Sequence, residues 1–527
     1  MPDSVAVGGG GGVAPSYPKY VSTRGWAGED GNGTTFEDAV LRGLSPDGGL
    51  LVPTFFPQVP RGTLREMVAR HSRGEYSFVD LAHAIISRYI PQETVRSDEL
   101  RGIVERSYST FRSSPDTTPV VDYRKDSDGS EKILELFHGP TFAFKDVALQ
   151  FLGNLFECLL KKRGERGLPN TMTVLGATSG DTGSSAIHGL RGKSGVEVFI
   201  LFPNGKVSPI QERQMTTVLD ENIHCVAVEG TFDDAQSIVK ACFRDVCFNA
   251  SHRLGAVNSI NWARILAQIV YYFYAYLRHC AAHPELDPEK VEISFAVPTG
   301  NFGDILAGYY AKRMGLPVSK LVVATNDNDI LHRFFSKGEY HRAGVQATCS
   351  PSMDICVSSN FERFLFHMLG DDSKALSEMM STFEKTGKLT ASDEFLTKCQ
   401  EEMLSNAVPQ ADILATMKSV HGTHGYLLDP HSAVGVASAS VLRAKGALSP
   451  TRTNPIVCLA CAHWAKFKKA VAGALGDEIA AGMPLPTELN RLVDMPTKRD
   501  VCPATVDAVQ ELMSSTMHTR KKQKTQL

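Results

Sequence analysis

The strongest constraint on this fold is an alternation of apolar strand patterns with longer helical patterns, which begins near residue 130. KILELF at 132–137 is typical of a strand, and the apolar spacing over 147–162 predicts an amphipathic helix. Further strands are predicted at 171–177, 196–202, 224–230, 291–297, 321–325 and 454–460, and further helices at 184–192, 208–219 and 232–246. Such alternation favours parallel sheets with helices on both faces, so the sequence predicts an α/β protein with open parallel sheets.

The length of the chain predicts several domains, because 527 residues exceed what one hydrophobic core usually holds. Five consecutive glycines mark a floppy leader, and the basic run from His518 to Lys524 is typical of a solvated tail. The polar segment from about 370 to 420 predicts an outer helical layer. The predicted division is a disordered leader at 1–19, a mostly helical N-terminal subdomain at 20–115, a smaller α/β domain at 116–255, a larger α/β domain at 256–500 and a tail at 501–527.

Composition argues against several classes of protein. With 55 basic and 58 acidic side chains, the formal net charge is -3, so no global positive charge is present to bind nucleic acid. The best candidate for a membrane span, Ile265 to Leu277, is too short to cross a bilayer. No secretory signal is visible and the eleven cysteines form no disulfide-like framework, which together predict a cytoplasmic location. Monomer and homo-oligomer both stay open.

Cys458 and Cys461 have the CxxC spacing of a redox pair or of half a metal site. They lie in NPIVCLACA, an apolar run typical of a buried strand, and no second CxxC or histidine pair stands nearby to complete a zinc site. We therefore predict no metal site, and we interpret Cys458 as a core residue.

One lysine follows the 132–137 strand closely, in the loop HGPTFAFKD at 138–146. Lys145 stands after two aromatic residues and opens the next helix. Burial and the positive end of the helix dipole both lower the pKa of such a lysine, which favours the neutral amine that forms a Schiff base. The alternative, for this residue taken alone, is a surface lysine that extends into solvent.

Two other strand-to-helix loops have the composition of anion sites. GATSGDTGSS at 176–185 offers glycine amides at a helix N-terminus, where a substrate carboxylate would be held with Ser179 and Thr182. Asp181 would repel an anion unless its carboxylate points away, and a plain glycine–serine turn is the alternative for this loop. PTGNFGD at 298–304 could wrap a phosphate with main-chain donors. Two anion loops and one reactive lysine suit a phosphorylated aldehyde cofactor with an anionic substrate.

Five motifs stand in a fixed order along the chain, within a stretch of recognisable sequence that runs from about Tyr20 to Lys469. They are YVSTRG…FEDAVLRGLSPDGGLLVP, HGPTFAFKD, ATSGDTG, NSINWAR and PTGNFGD. Together they resemble the threonine synthases, in the long subgroup of fungi and many bacteria. The resemblance implies the pyridoxal-phosphate-dependent fold type II, with two open parallel-sheet domains plus a mostly helical N-terminal subdomain. It also implies pyridoxal 5'-phosphate as cofactor, and conversion of O-phospho-L-homoserine and water to L-threonine and phosphate.

The same resemblance assigns roles to individual residues. Lys145 is implied as the catalytic residue and as the lysine that forms the Schiff base. The residues implied around the cofactor phosphate are Gly300, Asn301, Phe302, Gly303 and Asp304. Those implied at the amino-acid end of the substrate are Thr178, Ser179, Asp181 and Thr182. Those implied at the substrate phosphate are Asn258, Ser259 and Arg264, with Lys206 of PNGKVSP as a second candidate.

Two of these residues also have an interpretation from the local pattern. Asn258 is a candidate N-cap for a helix that runs to about Tyr276. Arg264 could bind a phosphate through two hydrogen bonds, and its alternative is an ordinary salt bridge on a helix surface.

The chain departs from the family beside the cofactor ring. The family usually has a serine or threonine followed by Ala-His-Pro-Ala-Lys-Phe, whereas this chain has Cys461-Ala-His-Trp-Ala-Lys-Phe. A thiol is a weaker hydrogen-bond partner for the ring nitrogen than a hydroxyl, but it still leaves that nitrogen neutral. Trp464, in place of the proline, could alter the wall of the pocket or simply fill space.

The mechanism implied by the resemblance uses Lys145 as a general base that moves protons from Cα and then Cβ, after which phosphate leaves from Cγ and water adds at Cβ. The nearest alternative is a related phospho-lyase that degrades phosphorylated hydroxy-amino acids to 2-oxo acids. The intact GNFGD loop favours the synthase. A non-catalytic binding protein would have lost the lysine or an anion loop, and a nucleotide-binding enzyme would have a GxGxxG or Walker pattern at a strand–helix junction.

Overall fold

The computed structural model describes residues 17–113, 115–124 and 128–526, with side chains described as far as Arg520. Residues 1–16, most of the predicted leader, lie outside the described residues. The region expected to be mostly helical forms β1 (Tyr20–Ser22), α1 (Phe36–Arg42), β2 (Leu51–Pro53), α2 (Arg61–Ser72), α3 (Phe78–Ile86) and α4 (Ser97–Tyr108).

Strands and helices then alternate, as the sequence pattern predicts. The chain first forms β3 (Val120–Val121), β4 (Glu131–Glu135), α5 (Lys145–Glu165), β5 (Met172–Ala177), α6 (Asp181–Leu190), β6 (Val196–Pro203), α7 (Pro209–Thr216), β7 (Ile223–Glu229), α8 (Phe232–Arg244), α9 (Val246–His252) and β8 (Leu254–Gly255). It continues with α10 (Trp262–Ala282), β9 (Ile293–Pro298), α11 (Gly303–Arg313), β10 (Val318–Thr325), α12 (Ile330–Lys337), β11 (Glu339–His341), α13 (Phe361–Met368), α14 (Ser373–Thr386), β12 (Lys388–Thr390), α15 (Asp393–Glu402) and β13 (Met403–Ala407). It ends with α16 (Gln410–His424), α17 (Pro430–Ala444), β14 (Ile456–Ala460), α18 (Lys468–Leu475), α19 (Asp477–Gly482), α20 (Thr487–Arg491), β15 (Asp500–Pro503) and α21 (Val506–Gln526), and short 3-10 helices lie at Pro288–Lys290, Pro351–Met353 and Trp464–Lys466.

Two open sheets organise these elements, which confirms the predicted fold class. The larger sheet has six strands in the order β13-β10-β9-β14-β4-β3, all parallel except β3, which is antiparallel to β4. The smaller sheet has five parallel strands in the order β15-β7-β6-β5-β8. Helices cover both faces of the larger sheet, so alternate residues along its strands pack into different cores. Along β14, Val457 and Leu459 pack into the core that contains α5 and α10, whereas Cys458 packs, as predicted, into the core that contains α17.

The predicted assignment of residues 116–255 to the smaller domain differs from the observed pairing. Strands β3 and β4 belong to the six-stranded sheet, so Lys145 follows a strand of the larger sheet. The reason is long-range: β14 lies between β9 and β4, and pairs with β4 from Ile456 opposite Glu131 to Ala460 opposite Glu135. Local strand and helix patterns carry no information about such partners.

The segment after residue 500 differs from the expected solvated tail. Strand β15 adds to the edge of the five-stranded sheet beside β7, and α21 packs against the same domain through the fully buried Val509 and Met513. Arg520, in the basic run, forms ion pairs with Glu197 and Glu221. A sparse apolar spacing is therefore enough to dock this helix, because a complementary surface is already present.

The segment expected as an outer helical layer also contains an edge strand. Met403–Ala407 pairs with β10 at the end of the six-stranded sheet. Its residues, MLSNA, include two polar side chains and are only partly buried, which is typical of an edge strand. The same mixture of polar and apolar residues also occurs at helix–loop junctions, so the sequence does not distinguish the two.

The two longest helices of the interior position the site. Helix α10 is buried along most of its length, and α5 packs against both α10 and α6. The contact between α5 and α6 needs glycine, since a Cβ on Gly153 would lie 1.9 Å from the carbonyl oxygen of Gly189. Helix α5 thus runs between the two sheets and places its first residue, Lys145, where both domains meet. Every helix in the described part of the chain falls short of the length or the apolarity that a bilayer crossing requires.

Candidate active site

The predicted lysine and loops meet at the carboxyl ends of the central strands. The Nζ atom of Lys145 lies 3.4 Å from Oγ of Ser352 and 3.6 Å from Oδ2 of Asp181, which opens α6. Ser352 also contacts the phosphate-loop region, because a Cβ on Gly300 would lie 3.2 Å from the carbonyl oxygen of Ser352. The amide of Phe144 donates to the carbonyl oxygen of Cys461 at 2.7 Å. Three separate strand ends therefore converge on one amine.

Lys145 is a buried residue and not a surface lysine, with 9% of its area exposed. Burial lowers the pKa of its amine, and the charges of Lys466 and Arg264 lower it further, whereas Asp181 raises it. The net shift is downward, so the structure favours the neutral, nucleophilic form of this amine at the N-terminus of α5.

Asp181 points at lysines and away from any anion held by its own loop. Its Oδ1 atom accepts from Nζ of Lys466 at 2.5 Å and from Nε2 of Gln211 at 2.8 Å, and its Oδ2 atom accepts from Oγ of Ser352 at 3.0 Å. Burial acts to raise the pKa of Asp181, but Lys466 and Lys145 outweigh it and hold the pKa well below its usual range. The carboxylate is therefore ionised and fully engaged.

The rest of the ATSGDTG loop is less open to a ligand than the sequence suggests. The buried hydroxyl of Thr178 accepts from the amides of Gly180 at 3.0 Å and Gly183 at 2.8 Å, so those two amides are already used. Ser179 is exposed and Thr182 is half-buried at the start of α6. A ligand carboxylate would have to use the remaining amides and these two hydroxyl groups.

The GNFG loop forms a cradle at the start of α11. Phe302 adopts a left-handed backbone with φ of 61° and directly precedes the helix. Outer groups fix the loop: Oγ of Ser358 donates to the carbonyl oxygen of Gly300 at 2.7 Å, and Nδ2 of Asn360 donates to that of Asn301 at 3.0 Å. The carbonyl groups are thus held by 358–360, while the first amides of α11 lack helical partners, as at any helix N-terminus. This arrangement fits a phosphate group.

Asp304 turns towards α10. Its Oδ1 atom accepts from the hydroxyl groups of Tyr271 at 2.5 Å and Tyr272 at 2.8 Å, and its buried Oδ2 atom has no hydrogen-bond partner among the described residues. Burial raises the pKa of Asp304 to about 6, although the two tyrosine hydrogen bonds act to lower it.

Replacing Asp304 with asparagine is expected to change how stability depends on pH. Because the pKa of Asp304 is higher in the folded protein, the protonated carboxyl stabilises the fold below the unfolded pKa of about 3.9. This stability is lost as pH rises through about 6, and the loss amounts to about 3 kcal/mol by pH 7. Asparagine keeps both tyrosine hydrogen bonds and does not ionise. Urea unfolding at several pH values should show the variant gaining about 2 to 3 kcal/mol relative to the parent between pH 4 and pH 7. A difference that does not vary with pH would contradict the assignment.

Cys461 is buried at the end of β14, beside the lysine. Its amide donates to Oγ of Ser432 at 3.0 Å, and burial holds the pKa of its thiol well above the usual range. The side chain is therefore an uncharged group, which suits a neutral ring nitrogen. Trp464 packs against Phe142 and Leu489 and also lines a cavity of about 520 Å³ together with His463, so it fills space and forms pocket wall at once.

Arg264 is the buried cation of the site and has no ion pair within the described parts of the chain. It is 4% exposed, its Nη1 atom donates to the carbonyl oxygen of Val257 at 2.8 Å, and its Nε atom has no partner. Burial lowers the pKa of its guanidinium to about 10. A surface salt bridge is thus excluded for the described residues, and an uncompensated buried cation is a position that an anion would stabilise.

The residues around Arg264 differ in part from expectation. The prediction that Asn258 caps α10 is wrong, because Asn261 is the N-cap and accepts from the amide of Ala263 at 3.0 Å. A turn in which the amide of Asn261 donates to the carbonyl oxygen of Asn258 separates the two, and the asparagine next to the first helical residue takes the cap. Asn258 is exposed, and Oγ of Ser259 lies 3.0 Å from Oγ of Ser359.

No contact in the described part of the structure brings Lys206 to Arg264. It is exposed, and its Nζ atom donates to the carbonyl oxygen of Gly230 at 3.0 Å, in the loop that follows β7. This loop belongs to the five-stranded sheet, and the hydrogen bond directs Lys206 along that sheet edge.

Sequence reasoning missed four residues of the site: Lys466, Ser352, Gln211 and His431. Lys466 lies in the Cys461-Ala-His-Trp-Ala-Lys-Phe motif, so its position was a usable signal. The others had none. His431 links Ser352 to a buried acid, because its Nε2 atom accepts from the amide of Ser352 at 3.1 Å and its Nδ1 atom lies 2.8 Å from Oδ1 of Asp429.

Comparisons with known proteins identify the family of this chain. The family model described as pyridoxal-phosphate dependent enzyme matches residues 117–462, the threonine synthase N terminus matches 19–108, and the threonine synthase C-terminal model matches 432–513. Threonine synthase of Schizosaccharomyces pombe is 48% identical over 508 residues, covering 91% of this chain and 94% of that protein. The Saccharomyces cerevisiae enzyme is 49% identical over 459 residues, covering 84% and 86%. A crystal structure of pyridoxal-phosphate-bound threonine synthase from Brucella melitensis has a TM-score of 0.84 and 43% identity, covering 95% of this chain and 99% of that one. The chain therefore belongs to the threonine synthase family of pyridoxal-phosphate-dependent enzymes.

Proposed function

We propose that this chain converts O-phospho-L-homoserine and water to L-threonine and phosphate, the last step of threonine biosynthesis. One observation carries the substrate assignment. Arg264 is a buried guanidinium without an ion pair in the described residues, close enough to Lys145 for its charge to lower the pKa of that amine. Arg264 makes no hydrogen bond to residues 300–303 in the described chain, so it offers a candidate position for a substrate phosphate besides the cradle, which would hold a cofactor phosphate.

The residues present suit pyridoxal phosphate. Lys145 would hold the aldehyde carbon, the amides at 300–304 would hold the phosphate, and the neutral thiol of Cys461 would face the ring nitrogen. When bound, this cofactor supplies an electron sink that stabilises negative charge on the carbon atoms of an amino acid.

The reaction then depends on what the protein side chains do at each substrate atom. Lys145, as a neutral amine, would take the proton from Cα and pass it on, which leaves the amine free to take one proton from Cβ; that proton would return to Cγ once the phosphate has left. Arg264 receives the charge that develops on the phosphate oxygen as the bond from Cγ breaks, through a charge-assisted hydrogen bond. Asp181 does not compete with the phosphate for Arg264, because Lys466 and Gln211 already donate to its Oδ1 atom. Water adds at Cβ, and the acid–base group nearest to that carbon is again Lys145.

A cytoplasmic location is part of the same proposal. All eleven cysteines are unpaired, and seven of them are buried. Free thiols in this number are typical of a reducing compartment.

Product analysis tests the proposed reaction. The full-length chain, loaded with pyridoxal phosphate, is incubated with O-phospho-L-homoserine, and threonine, phosphate and 2-oxobutanoate are quantified. We expect threonine and phosphate in equal amounts. Phosphate with 2-oxobutanoate and no threonine would indicate the phospho-lyase instead, and absence of phosphate release would contradict both.

A further inference from the structure

Two buried lysines share the carboxylate of Asp181, and they do so unequally. Lys466, whose side chain is fully buried, places Nζ 2.5 Å from Oδ1 and also donates to the carbonyl oxygen of Thr141 at 2.9 Å. Lys145 lies 3.6 Å from Oδ2, beyond hydrogen-bond distance. The short contact belongs to the lysine that has no assigned role.

Other groups reinforce this inequality. Gln211 donates to Oδ1 at 2.8 Å, and Ser352 donates to Oδ2 at 3.0 Å, so each carboxylate oxygen already has a closer donor than Lys145. Asp181 and Gln211 come from the five-stranded sheet domain, whereas Lys466 follows strand β14 of the six-stranded sheet and Ser352 lies in the 3-10 helix Pro351–Met353, between strands β10 and β13 of that sheet. The carboxylate is therefore held from both domains in an orientation that does not favour Lys145.

The charges that face Lys145 give this arrangement a chemical consequence. They belong to Asp181, Lys466 and Arg264, and of these only Asp181 favours a protonated Lys145. Asp181 itself faces Lys466, Lys145 and His431. Lys466 acts in two ways at once, because it neutralises the one ionised carboxylate near Lys145 and adds a positive charge of its own.

We propose that Lys466 is a positioning residue: it holds Asp181 through Oδ1 so that the carboxylate does not close on Lys145, which then reacts as a neutral amine. The inference rests on Lys145 being the lysine that binds the cofactor. Without Lys466, the buried carboxylate would take Lys145 as its ion-pair partner, because a buried charge without a partner is strongly unfavourable. A protonated Lys145 has no free electron pair, so it can neither attack an aldehyde nor accept a proton from Cα.

The test follows the binding of pyridoxal phosphate and not turnover. Cofactor-free full-length chain is mixed with pyridoxal phosphate from about pH 6 to about pH 10, and the rate at which protein-bound visible absorbance develops is recorded. For Lys466→Met we expect the pH midpoint of this rate to rise by about one unit, and the rate near pH 7.5 to fall about tenfold. Lys466→Arg keeps the charge and is expected to keep the midpoint.

A double variant separates charge from structure. In Lys466→Met with Asp181→Asn, the carboxylate that would capture Lys145 is removed together with its partner Lys466, so the midpoint is expected to return to the parent value or below. Lys132→Met is the matched control, because Lys132 is also buried and paired, at 2.6 Å with Asp122, on strand β4 away from the site. Its midpoint should not move.

The outcomes are distinct. An unshifted midpoint in folded Lys466→Met overturns the proposal. A midpoint that stays raised in the double variant overturns it as well, and this second test remains available if the single variant fails to fold. If Lys145→Ala develops the same absorbance at the parent rate, the lysine assignment under the proposed function fails first, whatever Lys466 does.

Discussion

Replacing Lys145 with alanine is expected to abolish threonine formation, lowering kcat by about a thousandfold or more. The residue combines two tasks that no neighbour can take over. It offers a buried amine at the junction of the two sheets, and Lys466, which shares Asp181 with it, is held by Asp181 and the carbonyl oxygen of Thr141. The measurement is release of threonine and phosphate from O-phospho-L-homoserine by the cofactor-loaded variant.

The same variant should lose stable cofactor binding while keeping its fold. The buried amine of Lys145 makes no hydrogen bond shorter than 3.4 Å, so its removal takes a strong donor from none of its neighbours. The visible absorbance of the bound cofactor should therefore disappear after gel filtration, with little change in the urea midpoint. Lys132→Ala is a suitable control, because it should retain both the absorbance and the activity. A Lys145→Ala protein that still forms threonine at a tenth of the parent rate would refute the assignment.

Replacing Arg264 with methionine is expected to lower kcat/KM about a hundredfold, with little loss of stability. A charge-assisted hydrogen bond to phosphate is worth about 1.5 to 3 kcal/mol, and a buried bidentate contact is at the upper end. In the free protein, by contrast, Arg264 makes a single hydrogen bond, to Val257, and leaves its Nε atom unpaired among the described residues. Methionine fills similar space without the desolvated charge, so the free energy of unfolding should change by less than about 1.5 kcal/mol.

Arg363 is the matched control for this prediction. It is also fully buried, but Nε and Nη2 donate to Leu51, Nη2 donates to Ile260, and Nη1 donates to Asn360, at distances from 2.7 to 3.1 Å. Arg363→Met should therefore destabilise the fold by about 3 kcal/mol or more, because several buried acceptors lose their donor. Steady-state kinetics and urea unfolding of both variants check the pair. Equal losses of stability in Arg264→Met and Arg363→Met would mean that Arg264 has a structural role and is not an anion-binding residue.

Much of the fold was predictable because its signals are local. The strands at 171–177, 196–202 and 291–297, and the helices after them, agree with the structure within a few residues. Their apolar spacing depends only on neighbours in the chain. The three loops with a lysine, hydroxyl groups or glycines at strand ends could be recognised for the same reason, since parallel sheets place ligands at those ends.

The misassigned elements share a cause. Strand β4 was placed with the smaller domain because it precedes the strands of that domain in sequence, yet β14 pairs with it from the far end of the chain. The sequence predicts a tail at 501–527 with a solvated basic run at its end, because the apolar residues there are few and only the finished five-stranded sheet offers a surface for them. Asn258 was chosen as a cap three residues too early, since the turn before α10 has no distinctive pattern.

The sequence by itself determined that this chain is an α/β protein with a lysine at the start of a helix and two glycine-rich loops after strands. Only the tertiary structure decided the electrostatics of that lysine. Asp181 is held more closely by Lys466 than by Lys145, and Arg264 is buried without an ion pair in the described chain, because segments far apart in sequence close around them. Local patterns follow from the backbone and its nearest neighbours, whereas the charge that a buried group carries depends on which distant groups fold against it.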